Sequence, residues 1–178
     1  LIVEGKAGIG KTQLFANEAI SLLKENDNAL LITGSDCLSD INIFEQLKNN
    51  LRLSFDFENL IDILEVIGET NRKIIPIFID ALNESWKPQL WKSVLPILHK
   101  KISEKNYVRL AVSFRSEYQN SILPDGFLKL DDIVKIEHRG FRDNPFEAAR
   151  QFLIYYGIQF TPLHMFNANV YNPLFLTL

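Results

Sequence analysis

The segment from Gly5 to Thr12 restricts the possible folds of this chain more than any other part of its sequence. It reads Gly-Lys-Ala-Gly-Ile-Gly-Lys-Thr, in which a glycine is followed after four residues by Gly-Lys-Thr. This spacing is the signature of a loop that binds phosphate, and here it follows a short apolar run and precedes an amphipathic segment that begins at Gln13. We therefore expect a strand, a phosphate-binding loop and a helix in that order.

The residue types in this segment suit the phosphates of a nucleotide. Glycine at positions 5, 8 and 10 predicts positive φ values and a close approach of the backbone to an anion, whose charge the N-terminus of the following helix also favours. Lys11 supplies a positive charge for the β- and γ-phosphates, and the Thr12 hydroxyl is a suitable ligand for Mg²⁺. The predicted nucleotide-binding residues of this segment are Gly5, Lys6, Ala7, Gly8, Ile9, Gly10, Lys11, Thr12 and Gln13.

The composition is that of a globular protein with enough apolar material for a core, since 47% of the 178 residues are hydrophobic and 23% are charged. The net charge of -3 gives no support to nucleic acid as the primary ligand. The single cysteine, Cys37, excludes an intrachain disulfide and a cysteine-based metal site. No apolar run is long enough to span a membrane and no signal peptide is visible, so we expect a cytoplasmic protein.

Strands and helices alternate along residues 1–139. Apolar runs predict strands at 1–3, 29–33, 74–80 and 107–113, and an alternating segment predicts a half-exposed edge strand at 131–137. Between them, apolar residues recur at the three- and four-residue spacing of helices. This alternation favours a parallel sheet with helices on both faces, and ligands of such sheets bind at the carboxyl ends of the strands.

Two prolines and one pair of tryptophans lead to further expectations. Pro76 cannot donate a backbone hydrogen bond, so the first residues of its strand should lie beyond the neighbouring strand. Pro96 should kink or split the helix predicted over residues 87–104. Trp86 and Trp91 flank the start of that helix, and we expect both to pack against it.

The character of the chain changes at Gly140. Asn144, Pro145 and Glu147 predict the start of a helix that Gly157 ends. The core of this part should consist of an aromatic series: Phe141, Phe146, Phe152, Tyr155 and Tyr156. We expect a sheet domain over residues 1–139 and the start of a helical subdomain over 140–178. Because the chain begins inside a strand and ends in an apolar run, we expect it to be a segment of a longer protein.

Charged side chains follow the predicted strands at the edge where the phosphate-binding loop lies. Asp80 ends an apolar strand and should hold Mg²⁺ opposite Thr12. Ala81 stands where many hydrolases of this type place a glutamate, so Glu84 is the nearest carboxylate able to orient water. Arg115 ends the next strand and can stabilise charge on the γ-phosphate. The candidate catalytic residues are Lys11, Glu84 and Arg115, and the candidate metal ligands are Thr12 and Asp80.

With these residues in place, the chain resembles the NACHT-like branch of the STAND class of P-loop ATPases. The most specific similarity is the segment Ile77–Glu84, an apolar strand followed by Asp-Ala-Leu-Asn-Glu, in which Asn83 replaces the first of two acidic residues of the family. Arg115 looks like the family's sensor arginine. Gly140-Phe141 is similar to the entry into its helical domain, and Asn172-Pro173-Leu174 resembles a motif whose proline lies against the nucleotide.

This resemblance implies the fold of a P-loop NTPase, a three-layer α/β sandwich with a five-stranded parallel sheet in the order 5-1-4-3-2. It implies a slow, Mg²⁺-dependent ATPase that acts as a switch, with ADP in a closed monomer and ATP in an open form that assembles into a homo-oligomer. Pro173 would contact the nucleotide. Effector and sensor domains would lie in the same polypeptide outside this segment, and the setting would be innate or antiphage defence, in the manner of bacterial members.

Three alternatives remain open. An AAA-type ATPase motor of nucleic-acid metabolism has a similar site but normally carries a glutamate at the position of Ala81. A small-molecule phosphotransferase of the nucleotide kinase type would carry an arginine-rich lid, which this sequence lacks. A nucleotide-dependent scaffold that binds ATP without hydrolysing it is compatible with Ala81 and Asn83.

Overall fold

The computed structural model describes residues 1–141 and 144–159, and within these ranges strands and helices alternate as predicted. The strands are β1 (Ile2–Gly5), β2 (Leu30–Thr33), β3 (Ile75–Asp80), β4 (Val108–Arg115) and β5 (Lys135–Glu137). The α-helices are α1 (Lys11–Lys24), α2 (Ile43–Asn50), α3 (Phe57–Asn71), α4 (Trp91–Ser103), α5 (Gln119–Ile122) and α6 (Pro145–Tyr155).

The five strands form one parallel sheet in the order β2-β3-β4-β1-β5. This is the order 5-1-4-3-2 in the opposite direction, so the predicted sheet is confirmed. β1 lies between β4 and β5, and Gly5 is opposite Arg115 in the register. Because the strands are parallel, the carboxyl ends of β1, β3 and β4 lie at one edge of the sheet, where the candidate site residues follow them.

Side chains alternate between the two faces of the sheet and build a core on each. Ile77 and Ile79 of β3 belong to the larger core, which also contains Trp91 of α4. Phe78, between them, points to the other face, where its ring lies 5.1 Å from the ring of Phe15 in α1. Helices therefore cover both faces, and the predicted three-layer arrangement is confirmed.

Pro76 lies where the neighbouring strand on one side has not yet begun. The N–H of Ile75 donates a hydrogen bond of 2.7 Å towards β4, so the next residue, Pro76, is directed towards β2. Pairing with β2 begins only at Leu30, opposite Ile77. The expectation that β3 starts beyond its neighbour is correct on the β2 side and wrong on the β4 side, where Pro76 is opposite Arg109.

One helix prediction is corrected by the structure. Pro96 does not split its helix, because α4 continues through it, and α4 begins only after a separate 3-10 turn at Pro88–Leu90. α3 contains Gly68 and runs on to Asn71. Glycine is needed at position 68 for packing, since a Cβ atom there would lie 2.5 Å from the Cβ atom of Tyr107.

The structure also corrects the predictions for the edge strand and for Trp86. The edge strand β5 has only three residues, and all of them are exposed. Trp91 is completely buried, as expected, whereas Trp86 is 67% exposed and does not pack in the core. The backbone N–H of Trp86 donates to the carbonyl of Cys37 at 2.9 Å, so this residue lies beside the segment that follows β2.

The chain leaves the sheet after β5 and continues into α6. Asn144 is the N-cap residue, although its side chain makes no capping hydrogen bond, and Pro145 is the first helical residue. Gly157, with φ of 64°, follows the helix end as predicted. The motif Asn172-Pro173-Leu174 lies outside the described residues, and the domain boundary at 139/140 stays a prediction. None of the helices in 1–141 and 144–159 combines the length and apolar character that crossing a membrane requires.

We expect Gly34→Ala to destabilise the fold by about 1–3 kcal/mol, the usual cost of overpacking a core. Gly34 directly follows β2, and a Cβ atom there would lie 2.3 Å from the carbonyl oxygen of Ala81, which is backbone and has little room to move. Urea unfolding would measure the loss. Gly126→Ala is the comparison, because φ is 76° there but a Cβ atom would meet nothing within 4 Å. A smaller loss at Gly34 than at Gly126 would contradict the prediction.

Candidate functional site

The phosphate-binding loop joins β1 to α1 and has the backbone that its glycines predict. φ is 158° at Gly5, 72° at Gly8 and 96° at Gly10. At Gly5 the stronger reason for glycine is crowding, because a Cβ atom there would lie 2.2 Å from Cδ1 of Ile9 and 2.4 Å from the carbonyl oxygen of His138. The loop is therefore folded tightly against the segment that follows β5.

The N-terminus of α1 presents backbone amide groups beside this loop. Gly10, the N-cap residue, makes no side-chain capping bond, and the first turn carries no acidic residue. The first amides of a helix lack partners within the helix, and the helix dipole adds partial positive charge at this end. Loop and helix together can therefore bind an anion such as a phosphate group.

The Lys11 side chain lies across the loop. Its Nζ atom donates hydrogen bonds to the carbonyl oxygens of Gly5 at 2.8 Å and Lys6 at 2.9 Å. Burial lowers the pKa of Lys11, while the negative charge of the nearby Asp80 favours the protonated form and partly opposes this shift. An ammonium group that has lost part of its water in this way gains strongly from a charged oxygen partner such as phosphate.

Asp80 at the end of β3 is held by two hydroxyl groups. Its side chain is almost completely buried, with 2% of the residue exposed. Oδ2 accepts a hydrogen bond of 2.6 Å from the Thr12 hydroxyl, and Oδ1 accepts one from the hydroxyl of Ser113 in β4. The Ser113 hydroxyl oxygen also accepts a bond of 2.9 Å from the N–H of Ala81. The carboxylate orientation is therefore set by β4 as well as by the loop.

Thr12 and Asp80 fit the requirements of Mg²⁺. They bring a hydroxyl and a carboxylate oxygen within 2.6 Å of each other, and Mg²⁺ in nucleotide sites takes one or two protein oxygens together with phosphate oxygens and waters. In the part of the chain that the structure describes, no group of three or more His, Cys, Asp or Glu side chains forms a site built from protein ligands alone. The role of Thr12 and Asp80 as metal ligands stays a prediction.

Glu84 and Arg115 form an ion pair in the same site. Nη2 of Arg115 lies 3.0 Å from Oε1 of Glu84, and both side chains are partly exposed. Asn83 holds the backbone beside this pair, since its Oδ1 accepts a bond of 2.9 Å from the N–H of Arg115. Ala81 has φ of 54°, in the left-handed region, and turns the chain so that Asn83 and Glu84 face the end of β4. The catalytic roles of Glu84 and Arg115 stay predictions, but the structure brings the two side chains together.

These residues line one cavity of about 820 Å³, a volume within the usual range for a small-molecule site. Ten of the predicted site residues line it: Ala7, Gly8, Ile9, Gly10, Lys11, Thr12, Gln13, Asp80, Glu84 and Arg115. Gly5 and Lys6 are not among the lining residues and contribute their carbonyl groups to Lys11 instead. Pro173 lies outside the described residues.

Several contributors to the cavity were not predicted as site residues. Ser113 is fully buried and orients Asp80, and the available signal was a single serine within the apolar strand β4. Asn17 of α1 lines the cavity and accepts a hydrogen bond of 2.6 Å from Gln13. Three aromatic residues of the helical part also line it: Phe152, Tyr155 and Tyr156.

Comparison with known proteins gives likenesses in structure alone. No protein-family model matches the sequence, and no curated protein matches it either. The Walker-type ATPase PABY2304 of Pyrococcus abyssi has a TM-score of 0.61 at 13% identity, over 98% of this chain and 59% of that protein. DnaA from Aquifex aeolicus with bound AMPPCP has a TM-score of 0.57 at 14% identity, over 93% of this chain and 48% of DnaA.

Cdc6p from Pyrobaculum aerophilum is a further similar structure, with a TM-score of 0.54 at 12% identity over 86% of this chain and 41% of that protein. The chain thus spans about half the length of these proteins. At such identities the likeness concerns the fold. Together with the strand order and the phosphate-binding loop after β1, it shows that this chain has the α/β fold of the P-loop NTPases.

Proposed function

We propose that this chain binds ATP and ADP with Mg²⁺, hydrolyses ATP slowly and acts as the nucleotide-dependent switch of a STAND-class signalling protein. The observation that carries the proposal is the convergence of four side chains on one cavity. Lys11 lies across the loop, Asp80 accepts a hydrogen bond from the Thr12 hydroxyl, and Arg115 lies at the end of β4, the strand next to that of Asp80. Each would contact a different part of a Mg²⁺-bound triphosphate.

The proposed roles follow from these positions. Lys11 binds the β- and γ-phosphates, while Thr12 and Asp80 would hold Mg²⁺, which would supply positive charge to the triphosphate. Arg115 binds the γ-phosphate and stabilises the charge that develops on it. Glu84 orients the water that attacks the γ-phosphate.

The ion pair between Glu84 and Arg115 supports a role that depends on which nucleotide is bound. Arg115 cannot make its best contacts with the γ-phosphate while its guanidinium is engaged by Glu84 at 3.0 Å. A γ-phosphate would compete for Arg115 and release Glu84 towards water, whereas ADP has no group to do so. Because Ala81 provides no carboxylate directly after Asp80, we expect slow turnover.

The assignment to STAND proteins is supported by sequence resemblance at Ile77–Glu84 and at Arg115. The strand order that this resemblance implied is the observed one. In this proposal ADP holds a closed monomer and ATP an open form that assembles into a homo-oligomer, with effector and sensor domains in the same polypeptide. The proposed setting is innate or antiphage defence.

A second candidate is an AAA-type ATPase module of DNA metabolism. It is supported by the structures of similar fold, which include DnaA bound to AMPPCP and single-stranded DNA, with a TM-score of 0.59 at 13% identity over 93% of this chain. Ala81 counts against it, because a motor of this type needs a carboxylate directly after the metal-binding aspartate. The net charge of -3 also gives no support to binding of a DNA backbone.

Steady-state phosphate release and light scattering would test the proposal together. We expect turnover far below the roughly 10 s⁻¹ of ordinary enzymes, and assembly with ATP or AMPPCP but not with ADP. Rapid turnover that single-stranded DNA accelerates would favour the motor instead. Assembly with ATP but no phosphate release would favour a scaffold that binds without hydrolysis, and the absence of any nucleotide binding would refute all three.

We expect Arg115→Ala to weaken ATP binding roughly 10- to 100-fold, the cost of losing a hydrogen bond between charged groups, and to leave ADP binding nearly unchanged. Titration calorimetry with each nucleotide would measure the difference, and light scattering should show weaker assembly with ATP. Arg109→Ala is a matched control on the same strand, because Arg109 contacts the carbonyl of Lys105 at the opposite end of β4. Equal losses for ATP and ADP would assign Arg115 to folding.

A further inference from the structure

Part of the nucleotide cavity is aromatic, in contrast to the polar and charged groups around the phosphate-binding loop. Tyr155 and Tyr156, at the end of α6, and Phe152, one turn earlier, line the same cavity as Lys11 and Arg115. Tyr155 is 83% exposed and Tyr156 is 57% exposed. Large aromatic faces at this exposure are available to a ligand in the cavity.

The rings form a continuous series that begins in a packed position and ends at the cavity. The rings of Phe141 and Phe152 lie 6.1 Å apart, those of Phe152 and Tyr156 lie 4.7 Å apart, and those of Tyr156 and Tyr155 lie 5.0 Å apart. Phe141 and Phe152 are half-buried. The half-buried rings of Phe141 and Phe152 therefore support the exposed rings of Tyr155 and Tyr156.

Tyr155 and Tyr156 are not part of the core that the sequence predicted for them. The residues of α6 that are buried are Ala149 and Leu153, which lie four positions apart on one face of the helix. Tyr155 and Tyr156 lie outside that face, and their exposure within the described part of the chain contradicts the prediction that they form a subdomain core. Their apolar faces are directed to the site and not to the interior of the protein.

We propose that Tyr155 and Tyr156 are the base-recognition residues of this site, and that they stack against the purine ring of the bound nucleotide. The inference rests on the proposed function, in which the loop from Gly5 to Thr12 binds the phosphates of that same nucleotide. An aromatic ring and a nucleobase gain from stacking because both present flat π-faces, and differences between bases arise from the strength of stacking. A two-ring purine offers more area to the tyrosines than a one-ring pyrimidine, so we expect them to favour purines.

This placement has a consequence for selectivity. Stacking depends on ring area, so ATP and GTP should bind with similar affinity, while CTP and UTP, which carry single-ring bases, should bind more weakly. The amide side chains of Gln13 and Asn17, also on the cavity wall, are hydrogen-bonded to each other at 2.6 Å. They therefore have only part of their capacity left to distinguish the edges of adenine and guanine.

Titration calorimetry with two ligands separates base recognition from phosphate binding. The probes are Mg²⁺-ATP and Mg²⁺-tripolyphosphate, which has the phosphates but no base. The variants are the double substitutions Tyr155→Ala/Tyr156→Ala and Tyr155→Phe/Tyr156→Phe, measured in the complete protein. Ile154→Ala is the matched control, because Ile154 belongs to the same helix, is exposed and is not among the cavity-lining residues.

We expect the double alanine variant to lose roughly 10- to 100-fold in ATP affinity and to bind tripolyphosphate like the wild type. The double phenylalanine variant and Ile154→Ala should retain ATP binding. Equal losses for ATP and tripolyphosphate would overturn the inference, since the tyrosines would then support the fold. Wild-type protein that binds tripolyphosphate as tightly as ATP would overturn this inference alone, whereas wild-type protein that binds neither would overturn the proposed function as well.

Discussion

Replacing Lys11 with alanine should lower the affinity for ATP by at least about 100-fold, because two hydrogen bonds between charged groups contribute roughly 1.5–3 kcal/mol each. In the structure the Lys11 ammonium already lies at the loop, held by the carbonyl oxygens of Gly5 and Lys6. It can therefore reach phosphate oxygens without a large rearrangement. Titration calorimetry with Mg²⁺-ATP would measure the loss.

The folded state should tolerate this substitution. Burial lowers the pKa of Lys11, which means that the folded protein disfavours its charged form, so removal of the ammonium costs little stability. Lys24→Ala is the matched control, because Lys24 belongs to the last turn of the same helix, is exposed and is not among the residues that line the cavity. Unchanged ATP affinity in Lys11→Ala would refute the whole nucleotide-binding proposal, and unfolding of the variant, visible by circular dichroism, would contradict the expected tolerance.

Replacing Glu84 with glutamine should slow ATP hydrolysis by at least about 100-fold while ATP remains bound, the low end of what a positioned acid or base contributes. Glutamine keeps the size of the side chain but cannot accept a proton from water. Loss of the negative charge also frees Arg115, which Glu84 holds at 3.0 Å, so ATP affinity should stay the same or rise. Single-turnover phosphate release and calorimetry would separate the two effects.

Glu117→Gln is the control for the change in charge. Glu117 lies two positions after Arg115 and is close enough for its charge to raise the pKa of Lys11, yet it is not among the residues that line the cavity. We expect the Glu117→Gln variant to hydrolyse ATP at the wild-type rate. A Glu84→Gln variant with unchanged turnover would show that Glu84 serves only as the partner of Arg115.

Local patterns in the sequence were sufficient for the framework of the site. The spacing of glycines and Lys11 predicted the loop, whose three glycines all have positive φ. The apolar run that ends at Asp80 predicted β3 and the position of its carboxylate. These features could be predicted because each depends on residues that are close in sequence. The strand order followed from a family resemblance and not from local patterns.

Contacts between distant segments could not be predicted in the same way. The bond from Ser113 to Asp80 depends on the relative position of β3 and β4, which no local pattern encodes. Tyrosine is a residue type that often packs in a core. Only the placement of α6 beside the loop shows that the rings of Tyr155 and Tyr156 line the cavity. The exposure of Trp86 could not be predicted for a related reason, since it lies beside Cys37, a residue distant in sequence, to whose carbonyl its backbone donates.

The contact between Gly5 and His138 joins the start of the phosphate-binding loop to the segment that follows β5. The N–H of His138 donates to the carbonyl of Glu4 at 2.7 Å, and its own carbonyl oxygen occupies the space that a side chain at Gly5 would need. The segment that leads to α6 therefore starts in contact with the first residue of the loop. A side chain introduced at Gly5 would have to displace this segment as well as Ile9 of the loop.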